Sequence, residues 1–570
     1  MTKKNDVNGI DKVPTGIAGF DELTNGGLPK GRTTLILGGP GSGKTVFALQ
    51  TLVNSARDLG EPGIFVAFEE NSKQLIENAS TFGWNLPALE KERLFFLDAR
   101  MSPDLVISGD FDLKGMLASI KAKADEMGAT RIVFDSIDVL LTLLDNPAAE
   151  RNELYRIHDW LAESGLTGLL TFRIGSESDY SERFGFMQFM ADCVVVLYHR
   201  LVDRVSLREL RIIKFRGSGF FENEFPMVIG PSGIEIANLG LSEPEFEAFS
   251  DRISTGVERL DAMLDGGYLR GSSILITGTP GTAKSTLSGA FIMAACKRGE
   301  KSLYVSFDEA ANEIIRNLSS VNICLEPHKK SGLLKMYSAR IESRSAEEHM
   351  MNIRRLIEEH KPLCVVLDPL SALLKAGGHI TAMGVAQRLI HLAKSNGITL
   401  LCTSLLDIRG TESDEATEIR ISTIADAWIN LSYVSQSGER NRALTIVKSR
   451  GTRHSNQVRE LVLSDEGVTL EDVYTAAGEV LMGTLRWEKE EADKHEEITL
   501  RSEVQHKRLK LELAEAEINA KIMALKRELE ANRSDLERLD KDEDKRKVID
   551  ENRLANIRKK RRWDSIEGKR

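Results

Sequence analysis

Two segments of the chain have the residue spacing that holds phosphate groups. Residues 38–45 read GGPGSGKT and fit the pattern G-x-x-x-x-G-K-[ST] in full, after a predicted strand and before a predicted helix. The glycines let backbone N–H groups turn towards phosphate oxygens, and the N-terminus of the helix adds positive potential. Lys44 is expected to contact the β- and γ-phosphates of ATP, and the Thr45 hydroxyl is expected to ligate Mg²⁺. The predicted nucleotide-binding residues are Gly38, Gly41, Ser42, Gly43, Lys44 and Thr45.

The second segment follows the same design with one departure. Residues 278–285 read GTPGTAKS, so Ala283 stands where the pattern has glycine. Alanine costs roughly 1 kcal/mol if the position needs a positive φ, and little if it takes a helical φ. Nucleotide binding is expected to survive, with the Ser285 hydroxyl on Mg²⁺. The predicted binding residues are Gly278, Gly281, Thr282, Ala283, Lys284 and Ser285.

Each phosphate loop needs a carboxylate on the metal side. Asp135 follows the apolar run 131–134, and Asp368 follows the run 363–367. An Asp at the end of a strand is more often a helix cap. The phosphate loops upstream favour the metal role, so we predict Mg²⁺ sites at Thr45 with Asp135 and at Ser285 with Asp368.

Two acid pairs could act on an attacking water or hydroxyl group. Glu69 and Glu70 end one apolar run, and Asp308 and Glu309 end its counterpart in the second half. A carboxylate there could orient and activate the nucleophile, although adjacent acids at a strand end are more often surface charges. Asp308 is one methylene shorter than Glu69, which predicts altered chemistry in the second half.

The elements that must position these residues occur twice in the chain. Thr15, Gly16, Asp21, Gly26, Gly27 and Gly31 recur 240 residues later as Thr255, Gly256, Asp261, Gly266, Gly267 and Gly271. In each copy, short apolar runs alternate with helical patterns, and such runs are typical of parallel strands covered by helices on both faces. The sequence therefore predicts the α/β class for two tandem lobes. The predicted strands are 33–37, 63–68, 131–134, 169–172 and 194–198, then 273–277, 303–307, 363–367 and 399–402.

The segment after about residue 486 differs from both copies. Residues 499–541 contain no Gly or Pro and are rich in Glu, Lys, Arg, Leu and Ala. Apolar residues fill two positions of a seven-residue repeat: Val504, Leu511, Ile518, Leu525 and Leu539 at one, and Ile522, Leu529 and Leu536 at the other. This pattern is typical of a coiled coil, and it is stronger for 518–541 than for 499–517. A single solvated helix with i, i+4 ion pairs is the alternative.

These patterns predict a division of the chain into seven parts. The predicted parts are a flexible N-terminus at 1–14, a first lobe at 15–239, a linker at 240–252, a second lobe at 253–472, a connector at 473–498, a coiled coil at 499–541 and a charged basic tail at 542–570.

Composition excludes several classes of protein. Hydrophobic residues make up 41% and charged residues 28% of the 570 residues, which fits globular domains. We find no run of about 20 apolar residues and no secretion signal, and the five cysteines form no C-x-x-C pair. We therefore expect a soluble cytoplasmic protein with reduced, mostly buried thiols. The net charge of −10 makes nucleic acid an unexpected partner.

Taken together, these motifs resemble the KaiC family of tandem RecA-like ATPases over about residues 10–472. The resemblance rests on the duplicated lobes, the sequence FEE at 68–70, K-x-R-G at 214–217 and 448–451, and ISTIAD at 421–426. Ser422 and Thr423 match the paired autophosphorylation sites of the family, and Thr417 matches a further family threonine. The resemblance is carried by all of these features in order, since any one alone is common.

The resemblance implies a two-tiered homo-hexamer with ATP bound between neighbouring subunits. A neighbour would bring Lys214 and Arg216, or Lys448 and Arg450, towards the γ-phosphate. The first lobe would hydrolyse ATP slowly with Glu69 or Glu70 positioning water. The second lobe would phosphorylate and dephosphorylate Ser422 and Thr423, with Asp308 as the base and Glu309 beside it. The family also implies a timing function.

The resemblance also bears on partners. A KaiB-type protein would bind the first lobe. The long tail replaces the short C-terminal peptide with which family members meet a KaiA-type activator, which speaks against that activator here. Six tails could instead join two hexamers end to end. Two rival functions remain: a RecA-like nucleic-acid motor, which would bind DNA in a salt-dependent manner, and an ATP-dependent scaffold without catalysis, which Ala283 and Asp308 favour.

Overall fold

The computed structural model describes residues 10–100, 113–142, 144, 146–174, 185–237, 249–406, 423–436, 438–476 and 479–563. The chain divides into two compact units, Met1–Asp472 and Val473–Arg570. The first unit contains both predicted lobes, and the second contains the predicted helical segment.

The first lobe contains a nine-stranded sheet. Its strands run in the order β11-β10-β9-β8-β3-β7-β6-β4-β5, in which β8 to β5 are parallel and β9 to β11 are antiparallel. The strands are β1 Lys12–Val13, β2 Leu28–Pro29, β3 Thr33–Gly38, β4 Gly63–Ala67, β5 Leu94–Asp98, β6 Arg131–Asp135, β7 Thr167–Arg173, β8 Cys193–Val202, β9 Val205–Phe215, β10 Glu224–Gly230 and β11 Gly233–Ile236. The helices are α1 Phe20–Leu23, α2 Lys44–Asn54, α3 Ser72–Ala79, α4 Leu86–Glu92, α5 Leu113–Met127, α6 Ile137–Leu141, α7 Pro147–Ser164 and α8 Gly185–Met190, with a π-helical turn at Ser55–Leu59 and a 3-10 turn at Ser80–Phe82.

The second lobe repeats this topology. Its nine-stranded sheet has the order β16-β15-β17-β18-β14-β19-β20-β21-β22, again parallel through the centre and antiparallel from β19 to β22. The strands are β12 Arg252–Ile253, β13 Tyr268–Leu269, β14 Ser273–Gly278, β15 Ser302–Ser306, β16 Leu334–Ser338, β17 Cys364–Asp368, β18 Thr399–Ser404, β19 Ala427–Gln436, β20 Glu439–Ser449, β21 Arg459–Ser464 and β22 Gly467–Asp472. The helices are α9 Glu258–Met263, α10 Lys284–Lys297, α11 Ala311–Ser319, α12 Glu326–Lys330, α13 Ala346–His360 and α14 Gly378–Ser395, with 3-10 turns at Ile341–Ser343 and Leu370–Ala376.

Both faces of each central strand are buried. In β3, Leu35 and Leu37 point into one apolar cluster, while Ile36 points into another on the opposite face of the sheet. Successive side chains of a strand alternate between faces, so an uninterrupted apolar run fits a sheet that is covered on both sides. The predicted α/β class is therefore confirmed for both lobes.

The C-terminal unit consists of a short hairpin and one long helix. The hairpin pairs β23 Tyr474–Ala476 with β24 Glu479–Leu481, and the helix α15 runs over 81 residues, Gly483–Trp563. The helix therefore begins before residue 499 and continues beyond residue 541, the limits of the predicted coiled coil. Its repeat residues are exposed, as at Ile518 and Leu525. Ion pairs at i, i+4, such as Arg508 with Glu512, also line the helix, as the solvated-helix alternative expects.

Candidate nucleotide sites

The first phosphate loop joins the central strand β3 to α2. Gly43 precedes the helix with φ 101°, a left-handed conformation that suits glycine. A Cβ atom at Gly43 would lie 2.9 Å from Cδ1 of Ile229, so a larger residue here would also have to displace that side chain. The backbone N–H groups at the start of α2 are free of intrahelical partners and can bind an anion. The loop thus has the shape that the sequence predicted.

Lys44 lies inside this loop. Its Nζ donates to the carbonyl oxygens of Gly38 and Gly39, at 2.8 and 3.0 Å. Burial lowers the pKa of Lys44, and Asp135 opposes that shift. Lys284 repeats the geometry in the second lobe, since its Nζ donates to the carbonyl oxygens at positions 278 and 279, at 2.8 and 2.9 Å. Each ammonium group therefore lies inside its loop, where the phosphate oxygens of a bound nucleotide would carry negative charge.

The metal-side groups of the first lobe lie together. The Thr45 hydroxyl is 3.2 and 3.1 Å from the two carboxylate oxygens of Asp135, which is the last residue of β6. Thr171 on the neighbouring strand β7 donates to Oδ1 of Asp135 at 2.7 Å. Burial raises the pKa of Asp135 to about 6, and the two threonine hydroxyls oppose the shift. A hydroxyl and a carboxylate that share a buried corner beside the loop fit a Mg²⁺ ligand pair.

The acid pair of the first lobe follows β4, and an arginine holds one of its members. Nη2 of Arg173 donates to Oε1 of Glu69 at 3.0 Å. Arg173 ends β7 directly beside Gly38, where the phosphate loop begins. Sequence reasoning missed Arg173; the signal available was a basic residue at the carboxyl end of a predicted strand. Glu70 lies next to Glu69 and is exposed.

In the second phosphate loop, Ala283 has a positive φ and not the helical φ that would carry little strain. This residue has φ 77° and ψ 28° and immediately precedes α10, in the place of Gly43. Gly281 also has a positive φ of 81°. Because alanine keeps a left-handed conformation here, the loop retains its shape at the cost of roughly 1–2 kcal/mol of backbone strain.

The second lobe arranges its carboxylates differently. Oδ2 of Asp368 accepts a hydrogen bond from the Tyr304 hydroxyl at 2.6 Å, and Oδ1 accepts one from the Thr403 hydroxyl. Burial raises the pKa of Asp308, and Asp368 adds to the shift while Lys375 opposes it. Glu309, the other predicted catalytic acid, accepts at Oε2 from the side-chain amide of Asn317 in α11 at 3.1 Å.

The two K-x-R segments do not lie at the phosphate loops of their own lobes. Lys214 on β9 is level with Leu35 across β8, three residues before the loop residue Gly38. At about 3.3 Å per residue, that separation is about 10 Å along the sheet, and Arg216 lies further away. Lys448 and Arg450 occupy the same positions in the second lobe.

A β-bulge precedes each of these lysines. The pairing of β8 with β9 shifts between Val194 and Val195, and that of β19 with β20 shifts between Trp428 and Ile429. Nη2 of Arg216 donates to the Phe189 carbonyl at 2.5 Å. A bulge redirects the side chains that follow it, so the repeated bulge sets the direction of both K-x-R pairs. No residue pattern in the sequence predicted this bulge.

The predicted phosphorylation sites are only partly within the described residues. Ser422 and Thr417 lie outside them. Thr423 is exposed, and its carbonyl oxygen accepts from Nη2 of Arg450 at 2.7 Å. Asp426, three residues later, is bound to Ser273 at the start of β14. Thr423 therefore lies at the amino edge of the sheet, whereas the phosphate loop of the same lobe lies at the carboxyl edge.

Sequence reasoning also missed a pair of arginines, one in each lobe. Nε of Arg208 donates to the Gly41 carbonyl at 3.0 Å, and Nε of Arg442 donates to the Gly281 carbonyl at 3.2 Å. These arginines lie at equivalent positions on β9 and β20 and fasten each phosphate loop from the antiparallel side of the sheet. Only the internal repeat of the sequence could have indicated them.

The described residues include all five cysteines of the chain. Four cysteines are buried, Cys324 is exposed, and all five are free. No helix in the described part of the chain is long and apolar enough to cross a membrane. Within the same residues no group of three or more His, Cys, Asp and Glu side chains could hold a metal ion, so the predicted metal sites depend on hydroxyl and carboxylate pairs.

Two α/β lobes, each with a phosphate loop after its central strand and a carboxylate on a nearby parallel strand, define a tandem P-loop ATPase of the RecA-like type. The family model described as the KaiC ATPase matches residues 13–240 and again residues 253–473. The circadian clock protein KaiC2 of Synechocystis sp. is 39% identical over 489 residues, which cover 85% of this chain and 86% of that protein. The circadian clock oscillator protein KaiC of Thermostichus vulcanus is 36% identical over 477 residues, which cover 83% and 92%. The chain belongs to the KaiC family.

Proposed function

We propose that this protein is an ATP-hydrolysing autokinase and autophosphatase that acts as a timing protein. The first lobe hydrolyses ATP with Mg²⁺ held by Thr45 and Asp135, and the second lobe transfers phosphate to Ser422 and Thr423. The names of the clock proteins to which the chain is similar support the timing role. The single observation that carries the proposal is the separation of the K-x-R cations from the phosphate loops of their own lobes.

This separation supports a ring of subunits. A cation near the γ-phosphate offsets the charge that develops during phosphoryl transfer. Arg216 lies at the amino edge of the sheet, opposite Gly38, and Lys214 is level with a residue in the middle of β3, so in the proposed assembly both cations serve the nucleotide of another subunit. A head-to-tail contact of this kind closes into a ring when the rotation between subunits allows it. We propose the homo-hexamer on this basis.

The same argument applies to the kinase of the second lobe. Thr423 lies at the amino edge of the sheet and Lys284 at the carboxyl edge, so phosphate passes from the ATP of one subunit to the hydroxyl of its neighbour. Asp308 accepts the hydroxyl proton. Burial raises the pKa of Asp308 and makes it a stronger base than an exposed aspartate. Lys448 and Arg450 approach the same nucleotide from the neighbour.

We also propose the partners that the family resemblance implies. A KaiB-type protein binds the first lobe. The exposed apolar repeat of α15 pairs with α15 of other subunits and joins two hexamers. This pairing takes the place of the contact with a KaiA-type activator.

The deciding experiment maps phosphate on the purified protein. The protein is incubated with Mg-ATP and its phosphosites are identified by mass spectrometry, with the double variant Ser422→Ala/Thr423→Ala as the control. We expect phosphate at these two residues and none in the double variant. ATP hydrolysis without phosphate at either residue would reject the autokinase and leave an ATPase, of which the motor and scaffold functions would then be the candidates.

A further inference from the structure

The two metal-side corners differ by one buried hydroxyl group. Strand β4 places Phe65 opposite Val133, and the equivalent strand β15 places Tyr304 opposite Val366. Phe65 and Tyr304 are both fully buried beside the helix that follows the phosphate loop. The second lobe therefore has a phenol oxygen where the first lobe has only a ring hydrogen.

This phenol lies between the two groups that are expected to hold Mg²⁺. The Tyr304 hydroxyl donates to Oδ2 of Asp368 at 2.6 Å, and the Ser285 side chain lies close enough to act on the pKa of the same hydroxyl. In the first lobe, the Thr45 hydroxyl approaches both carboxylate oxygens of Asp135 directly. The phenol has thus been inserted into a contact that the first lobe makes without an intermediary.

The orientation of the carboxylate does not need the phenol. Thr171 donates to Oδ1 of Asp135, and Thr403 donates to Oδ1 of Asp368 from the equivalent strand. Each aspartate is therefore already held by a threonine. The phenol adds a second donor, which takes up part of the charge of the carboxylate that a cation would otherwise use.

We propose that Tyr304 is a positioning residue that lowers the Mg²⁺ affinity of the second lobe relative to the first. This inference rests on the proposed nucleotide site of that lobe. It makes the second lobe the one whose loading with Mg-ATP follows the free Mg²⁺ concentration, in a range where the first lobe is already saturated. Asp368 acts on the metal directly, and Tyr304 acts only through Asp368 and Ser285.

The test measures metal affinity on the full chain, with the first lobe silenced by Lys44→Ala. Mn²⁺ is titrated in the presence of a non-hydrolysable ATP analogue, and free Mn²⁺ is followed by electron paramagnetic resonance. We expect Tyr304→Phe to lower the Mn²⁺ concentration at half-occupancy about tenfold, which is the size of the smaller effects of residues beside metal ligands. The sign is opposite to the usual loss of affinity, because the phenol competes with the cation for the Asp368 carboxylate. Affinity for the analogue without metal should stay the same, which a loss of packing would not allow.

The matched control introduces a phenol at the equivalent position of the first lobe. Phe65→Tyr in a Lys284→Ala chain should raise the Mn²⁺ requirement of the first lobe. Unchanged or weaker Mn²⁺ binding in Tyr304→Phe would overturn the inference while leaving the proposed nucleotide site intact. Absence of any Mn²⁺-dependent analogue binding in the Lys44→Ala chain would overturn the inference and the nucleotide site of the second lobe together.

Discussion

At the scale of single residues, the two lobes differ at a few positions of nucleotide sites that otherwise share one arrangement. Ala283 keeps the left-handed conformation of Gly43, and Asp308 replaces Glu69. The sequence predicted the loop residues and both metal-side carboxylates because their types and spacing are tied to phosphate chemistry. It could not predict Arg173 or Tyr304, since an arginine or a tyrosine at the end or middle of a strand has no special spacing. Their roles arise from neighbours that are distant in the chain.

The strain at Ala283 leads to the first prediction. Ala283→Gly should raise the free energy of unfolding of the second lobe by about 1 kcal/mol, because glycine adopts this conformation without the Cβ clash. The measurement is the thermal unfolding midpoint without nucleotide. Gly43→Ala is the matched control and should destabilise the first lobe, since its Cβ would lie 2.9 Å from Ile229. A lower midpoint for Ala283→Gly would contradict the strain.

The acid pair of the first lobe leads to the second prediction. Glu69→Gln should lower the rate of ATP hydrolysis by about 100-fold, the smaller end of the range for a general base. Glu70→Gln should have a smaller effect, because Arg173 holds Glu69 at the loop. Steady-state hydrolysis measures both variants. A larger loss for Glu70→Gln would transfer the role to Glu70.

At the scale of elements, most of the parallel strands were predicted to within a few residues, whereas β19, the edge strands β5 and β16 and the antiparallel strands were not. Strands such as β3 and β14 are buried on both faces and leave an unbroken apolar run in the sequence. Strands β9 and β20 contain buried, partly exposed and exposed residues without a regular pattern and carry the bulges. A bulge is set by pairing with another strand, so a single segment of sequence does not encode it.

Asp426 connects three elements of the second lobe, and this gives the third prediction. It accepts from Lys394 on α14 at 2.9 Å and from the Ser273 backbone on β14 at 2.8 Å, while its carbonyl accepts from Arg450. Burial opposes these contacts, but the hydrogen bonds prevail and keep the pKa of Asp426 below its usual range. Asp426→Asn should therefore lower the free energy of unfolding by about 1–3 kcal/mol at pH 7.

The pH dependence of this effect follows from the direction of the shift. Because the pKa of Asp426 is lower in the folded than in the unfolded chain, its contribution is complete above about pH 4. The contribution is lost as the pH falls through the folded-state pKa. The difference between the wild type and Asp426→Asn in denaturant unfolding should thus be constant from pH 8 to pH 5 and shrink below about pH 4. A constant difference down to pH 3 would contradict the assignment.

At the scale of the whole molecule, the sequence predicted two lobes and a helical extension, and it underestimated the length of the helix. The ends of α15 carry mainly charged residues, which weaken the apolar repeat without interrupting the helix. Helices of alternating charge are stabilised by i, i+4 pairs such as Lys521 with Glu517. The apolar repeat thus indicates a pairing surface, whereas the helix continues beyond this repeat at both ends through mainly charged residues.

The fourth prediction concerns this helix. Deleting residues 490–570 should lower the mass of the particle by about half, because the proposed pairing of two hexamers would be lost. Analytical ultracentrifugation in the presence of ATP measures the mass. Ile522→Lys/Leu529→Lys is the matched control, since it keeps the helix but places charge in the apolar repeat. An unchanged number of subunits per particle in both variants would show that the tail takes no part in the assembly.

Arg216 and the phosphate loop of the first lobe lie at opposite edges of the same sheet, and in the proposed ring this separation can be tested by mixing two variants. Lys44→Ala and Arg216→Ala should each abolish hydrolysis by the first lobe when every subunit of the proposed ring carries the same change. In mixed rings, however, a junction between the intact loop of one variant and the intact arginine of the other is whole. About one quarter of the junctions in a random equimolar mixture should be of this kind. Two inactive proteins should therefore restore activity to each other when their subunits exchange, which a site contained in one chain would never permit.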